Sequence, residues 1–492
     1  MQNKSLVAIG FLVNGLLCAG AGFATELLVG TATVDITPTG PVAVSGQFSL
    51  RIAKAVETPL TANVIALESR IQGGAHEAVI MVACDLLYIP AEVLGAVRRA
   101  VSQHLPDLDT TKLFLSGTHT HTAPVLLPGK YPIPKEGVMQ VEQYRSFLTQ
   151  RIAQAIVRAW QGRRPGSVTW GLSHAVVAYN RRAVYADGSA RMYGKTDTAE
   201  FCHLEGYEDH DVNTLFFWND NHELIGTVIN VSCPAQEVES LSAVNADFWH
   251  PVREALQKRY GEQLCVVGWI GASGDQSPHL MYRKAADERM RRLRGLNRLE
   301  EIARRIVRAV DDAYQTVKRD RHRDIVLIHR VETLQLPMRR VTESEYHEAT
   351  REVKKAVEKI EQDPQAALRE HRRMKWYETT VKRFERQKTD SDSTYEMELH
   401  VVRIGEVVIA TNPFELFTDF GIRMKARSKA LQTFVVQLVG PGTYVPTAKA
   451  VEGGHYSAVV HSSLVGPEGG KVLVDRTVAV IDSLWRDDIE KN

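Results

Sequence analysis

The chain has 492 residues, 44% hydrophobic and 24% charged, enough to bury a large core. Sixty Lys and Arg face 59 Asp and Glu, for a net charge of +1. This balance gives no electrostatic reason to expect nucleic acid or an acidic membrane as a partner. The basic runs at 289–294 and 369–375 lie in mixed-charge helical stretches and read as solvated faces.

Residues 1–24 read as an export signal. Lys4 supplies the positive start, 5–17 the apolar run, and Gly22-Phe23-Ala24 the small-residue cleavage site. The mature chain would then start near Thr25 and act in a periplasmic or secreted setting. The apolar run is short for a transmembrane helix. Cys18 raises a lipid anchor as the lesser alternative, because Leu17 stands where a small residue is expected. No other segment is long and apolar enough to span a membrane. Four cysteines remain beyond the signal: Cys84, Cys202, Cys233 and Cys265. They are too few for a disulfide scaffold, though export permits up to two bridges.

Strand-like and helical segments then alternate. Segments 27–35, 62–69 and 78–84 have strand length and apolar character. A helical pattern follows at 91–104, a strand at 112–116 and a strong amphipathic helix at 141–161. Strands are expected at 168–179, 214–218 and 224–231, a helix at 247–260 and an apolar strand at 264–270. Residues 282–318 are helical and charged. Residues 342–387 are helical with polar faces, and Pro364 divides them into a hairpin that is read as an insertion able to project from the body. Strands return at 397–404, 407–411 and 434–439, before a final helix near 476–485. No repeat and no Pro/Gly/Ser linker interrupts the chain. The reading is an α/β fold, a mixed β-sheet core flanked by helices, in one catalytic domain over 25–492 with a helical insertion at about 342–388.

Five polar clusters each follow an apolar strand. The first is Ser116-Gly117-Thr118-His119-Thr120-His121-Thr122-Ala123-Pro124. Two imidazoles one residue apart can both reach a metal, and neutral imidazole is a common zinc ligand. A bare pair of this kind is otherwise read as surface or hydrogen-bonded histidines. The second is Gly271-Ala272-Ser273-Gly274-Asp275-Gln276-Ser277-Pro278-His279. Its hydroxyls, carboxylate and free N–H groups suit acyl transfer, and the bland alternative is a polar turn. The third joins Asn230-Val231-Ser232-Cys233-Pro234 to Asn245-Ala246-Asp247-Phe248-Trp249-His250. There Cys233 is a metal ligand or simply buried, and His250 a ligand, an acid/base group or a helix cap. The last two place Glu415 after 407–411 and Tyr444 after 434–439. If these strands lie in one sheet and run the same way, the clusters converge at one edge, where α/β sites form.

In this order the clusters resemble the neutral/alkaline ceramidase family in its catalytic domain. The resemblance is carried by Gly30-Thr31-Ala32-Thr33-Val34-Asp35-Ile36-Thr37-Pro38, Thr118-His119-Thr120-His121, Gly274-Asp275-Gln276-Ser277-Pro278, Asn412-Pro413-Phe414-Glu415 and Tyr444-Val445-Pro446-Thr447. It implies a zinc amidase acting on the N-acyl bond of a ceramide-like lipid. His119 or His121, with Glu415 and Tyr444, would be ligands, and Ser277 would lie beside the scissile carbonyl as nucleophile or orienting donor. Asp275, His121 and His250 are the further catalytic candidates. Two departures stand out. Cys233 occupies the position of a family histidine, so either Cys233 or His250 would complete the metal set. His279 replaces an asparagine after Ser-Pro. The other readings kept open are the same scaffold acting on a different amide, ester or sugar-linked substrate, and a non-catalytic binding protein that has lost the metal.

Overall fold

The computed structural model describes residues 25–71, 76–390 and 393–485. The expected export signal and the anchor alternative at Cys18 lie outside them. Strands β1 (Thr25–Asp35), β2 (Thr61–Ile71), β3 (His76–Cys84), β4 (Leu113–Gly117), β5 (Arg164–His174), β6 (Asp211–Asn219), β7 (Leu224–Val231) and β8 (Cys265–Ile270) form one sheet in the order β8-β7-β6-β5-β1-β2-β3-β4. The remaining long strands, β9 (Leu327–Pro337), β10 (Thr394–Ile404), β11 (Val407–Thr411) and β12 (Gln432–Val436), form a second sheet in that order. The helices are α1 (Ala91–His104), α2 (Val141–Gln161), α3 (Trp249–Tyr260), α4 (Lys284–Leu293), α5 (Arg298–Val317), α6 (Glu343–Gln362), α7 (Ala367–Thr389), α8 (Thr418–Arg427), α9 (Ala448–Gly453) and α10 (Pro467–Ser483).

The core has four layers. Val29, Ile65, Met81, Phe114, Val267 and Trp269 of the first sheet pack against Val402, Ile409, Phe434 and Val436 of the second. The outer face of the large sheet is covered by α1 and α2 at one end and by α3 and α5 at the other. Helices α8 and α10 cover the outer face of the small one. Covering both faces explains why β4, β8 and β11 are buried at every position and read as continuous apolar runs.

Most neighbouring strands are antiparallel. The pairs β3/β4, β7/β8 and β11/β12 are parallel, and each is joined by one helix: α1, α3 and α8 in turn. A parallel pair needs such a crossover. The molecule therefore contains three β-α-β units, and the five polar clusters sit at the exits of their strands.

The charged hairpin is present as α6 and α7. Thr342 caps α6, with Glu345 reaching back in a capping box, and Asp363 caps the turn at Pro364. It does not stand clear of the body. The Leu50 amide donates to the Leu368 carbonyl at 2.8 Å, His371 Nε2 lies 3.1 Å from the Gly129 carbonyl, and Arg383 donates to the carbonyls of Val460, Ser463 and Arg339. Among the described residues no helix is long and apolar enough to cross a membrane. Cys84, Cys202, Cys233 and Cys265 are all free thiols.

Candidate active site

The clusters meet, although their strands belong to two sheets rather than one. Strands β4, β7 and β8 come from the large sheet, β11 and β12 from the small one. Stacking of the sheets brings their exits together, and backbone hydrogen bonds lace the loops. Gly117 N–H donates to Leu438 O at 3.2 Å, Ala235 N–H to Thr118 O at 3.1 Å, Gly274 N–H to Leu416 O at 2.8 Å, and Glu415 N–H to Thr443 O at 3.1 Å.

The chain leaves β4 through a left-handed residue, His119, with φ 65°, a conformation uncommon outside glycine. The turn points the ring inward. Nδ1 lies 3.0 Å from the Leu87 carbonyl, which holds the proton there and leaves a lone pair on Nε2. That nitrogen faces Glu415 Oε2 at 3.5 Å. His121 follows, its ring edge-on to that of His119 with centroids 4.8 Å apart. It packs on Gly46, where an added Cβ would come within 2.4 Å of the imidazole, at φ +100°; only glycine fits. His121 Nδ1 is buried without a hydrogen-bond partner, and Glu239 Oε2 stands 3.3 Å away. Burial, helped by the neighbouring His119, pushes the His121 pKa down to about 4 against the pull of Glu239, so the ring is neutral at pH 7.

Glu415 and Tyr444 pair across a short parallel bridge. Burial alone would raise the Glu415 pKa, but His119, Arg181 and the Tyr444 hydroxyl outweigh it and hold it at about 2. Burial, then the Glu415 charge, lifts the Tyr444 phenol well above its usual range, so it keeps its proton. Arg181 is a buried cation beside them. It donates to Gly274 O at 2.9 Å, to Tyr193 Oη at 3.1 Å and to Tyr444 Oη at 3.4 Å. Glu415 and Tyr444 open on a cavity of about 420 Å³ lined also by Phe48, Lys130, Arg372 and Trp376.

Other expected residues lie elsewhere. Cys233 sits in the apolar cluster beneath α3, its sulfur 3.4 Å from the Val177 carbonyl. Burial raises its thiol far above the usual range. Its loop reaches the site through Glu239 instead. His250 pairs with Glu254 at 3.4 Å, one turn along α3. Asp275 accepts from the backbone and hydroxyl of Thr418 at 2.8 and 2.7 Å, which anchors the start of α8. Ser277 is buried, its Oγ accepting from the His279 amide at 3.2 Å. His279 in turn lies 4.0 Å from Glu239. The sequence patterns did not mark Glu239 or Arg181. The available signals were two carboxylates in the loop after β7 and the consecutive Arg181-Arg182 beside a short strand.

Among the described residues no three His, Cys, Asp or Glu side chains stand in metal-holding geometry. His119–Glu415 and His121–Glu239 are two close pairs. The donors nonetheless suit a divalent cation. Two imidazoles offer lone pairs, one carrying an orphaned nitrogen, and two ionised carboxylates face them. The Leu87 carbonyl fixes the His119 tautomer in the manner typical of metal-ligating histidines.

No family model matches the chain, and no curated protein does. Solved structures do. The crystal structure of neutral ceramidase from Pseudomonas aeruginosa aligns with TM-score 0.65 and 16% identity, over 93% of this chain and 75% of that one. A ceramidase complexed with C2 aligns with TM-score 0.65 and 15% identity, over 93% of this chain and 76% of that one. The chain has the neutral ceramidase fold. The overlap extends over 93% of this sequence. At this level of identity the likeness speaks for the scaffold, and fold alone does not carry function.

Proposed function

We propose that this protein is an exported, zinc-dependent hydrolase that cleaves an N-acyl amide or a related ester. The observation that carries the reading is the pair of buried imidazoles facing Glu415 and Glu239 where β-α-β strands end, on a scaffold shared with neutral ceramidase. His119, His121, Glu415 and the Tyr444 oxygen would hold the metal, with Glu239 behind His121. When bound, zinc would polarise the scissile carbonyl and lower the pKa of a water to about 7.

The chain's own groups do the rest. The Leu87 carbonyl keeps the His119 proton on Nδ1 and the lone pair toward the site. Glu239 is ionised: burial raises its pKa, but His121 and His279 bring it below the usual carboxylate value. It would orient His121 from behind as a fixed negative charge. Tyr444 keeps its proton, so its phenol oxygen would be a neutral donor to the metal. Arg181 provides fixed positive charge where the carbonyl oxygen gains negative charge. Ser277 orients the His279 segment through its Oγ, and its own O–H remains to be donated.

A hydrolysis screen tests this reading, using N-acyl amides, fatty esters and glycosides with and without a chelator. Amide or ester cleavage that stops with chelator and returns with zinc is expected. Activity that ignores the chelator would remove zinc from the reaction. The open question is the substrate. The charged hairpin roofs the cavity, which favours a substrate other than ceramide on the same scaffold.

A further inference from the structure

The cavity over Glu415 and Tyr444 has one apolar wall and one cationic wall. Phe48, Trp376 and Tyr456 make the apolar wall, with ring centroids 5.7 to 5.9 Å apart. The cationic wall comes from the loop at 128–131 and from α7. Lys130 Nζ donates to the Tyr88 hydroxyl at 2.5 Å and lies 4.7 Å from that ring's centroid. Arg372 lies between Phe48 and Tyr131, 5.4 Å from each ring centroid, and its Nε is buried without a hydrogen-bond partner.

The charges do not cancel inside this wall. Lys375 is engaged by Glu378 at 3.0 Å, and Glu415 faces His119 at 3.5 Å. Among the described residues no carboxylate forms an ion pair with Lys130 or Arg372. Burial, then the Arg372 charge, brings the Lys130 pKa down to about 7 against a smaller opposing pull from Glu415, as expected for two cations that share a pocket and have no carboxylate in contact. Such an arrangement is costly unless an anion enters, and a guanidinium is well suited to a carboxylate, sulfonate or phosphate.

Resting on the hydrolase reading, we propose that the substrate is an amide or ester bearing an acidic group, which Lys130 and Arg372 receive while its acyl chain lies on Phe48, Trp376 and Tyr456. The neutral amide bond then sits over Glu415, and the anion is held at the cationic wall by Lys130 and Arg372. The basic run at 369–375, which looks like a solvated face in sequence, becomes through Arg372 a specificity element.

The test compares the N-dodecanoyl amides of glycine, taurine and phosphoethanolamine with that of ethanolamine, which has no charge. At least one anionic amide should exceed the neutral one in kcat/KM by about tenfold or more. The preference should fall toward unity in Arg372→Gln and Lys130→Gln and survive in part in Arg372→Lys. The identity of the favoured anion separates carboxylate, sulfonate and phosphate. Equal cleavage of all four by the unaltered protein overturns the proposal. If none is cleaved, calorimetric binding of dodecyl phosphate, dodecanoate and dodecanol decides it separately. Tighter binding of an anion, lost in Arg372→Gln, upholds the anion site while the hydrolase reading fails. Equal binding of anions and alcohol sinks it.

Discussion

Among the described residues two histidine pairs each lie beside a carboxylate, one closed and one open. In the first, between the sheets, His329 Nε2 meets His400 Nδ1 at 2.9 Å, and His400 Nε2 meets Glu398 Oε1 at 2.8 Å. Arg98 closes the chain on Glu398, and the Ala78 carbonyl lies 3.3 Å from His329 Nδ1. Every ring nitrogen has a partner, so the pair is a finished structural element that ties β9 and β10 to β3 and α1. In the second, His119 Nε2 faces Glu415 Oε2 at 3.5 Å with its other nitrogen on the Leu87 carbonyl, and His121 Nδ1 has no hydrogen-bond partner. The residue types are the same. The difference lies in whether the hydrogen-bonding capacity is used up.

Substitutions can break this contrast. The largest effect is expected in the open pair. Glu415→Gln and His119→Ala should each lower hydrolysis by about a thousandfold or more while leaving the thermal midpoint, compared with chelator on both sides, close to that of the parent protein. His400→Ala should do the opposite, costing roughly 2–4 kcal/mol of stability by opening a closed buried network, with specific activity of the folded protein retained. Calorimetry and initial rates on the same preparations read both.

The closed pair also predicts a pH signature. Burial would raise the Glu398 pKa, but His400 and Arg98 outweigh it and hold it at about 2, against an ordinary 4.5. A depressed carboxylate contributes stability above its unfolded pKa and loses it as pH falls through the folded value. The urea midpoint should therefore decline between pH 4.5 and 2, and Glu398→Gln should flatten that decline. The smallest effect is expected at Cys233. Its thiol sits in the apolar cluster and not with the histidines, so Cys233→Ser should leave metal content and rate unchanged and cost about 1 kcal/mol of stability. Loss of metal in that variant would return Cys233 to the site.

Much of the scaffold was legible because its periodicities are clean. The ranges of α1, α2, β7 and β11 follow directly from helical spacing or continuous apolar runs. Strand β9 was not legible: with His329, Arg330 and Glu332 in its centre and a half-exposed face, it lacks a strong pattern. The division of the cluster-bearing strands between two sheets was equally hidden, since inter-sheet packing leaves no local trace. In the site, His119, His121, Glu415 and Tyr444 could be picked out as polar residues just past buried strands. Arg181 and Glu239 could not, because their importance comes from partners distant in sequence. Cys233, His250 and Asp275 show the converse: each looks reactive in the string, and each is occupied by burial, an i,i+4 pair or helix capping.

The most direct test of the central claim is elemental analysis of the purified protein beside its His119→Ala, His121→Ala and Glu415→Gln variants, each verified as folded. The account predicts near-stoichiometric zinc in the unaltered chain and loss of that zinc in all three variants. Purified protein that takes up no metal even when supplied with it, or zinc that stays bound in the variants, would contradict it.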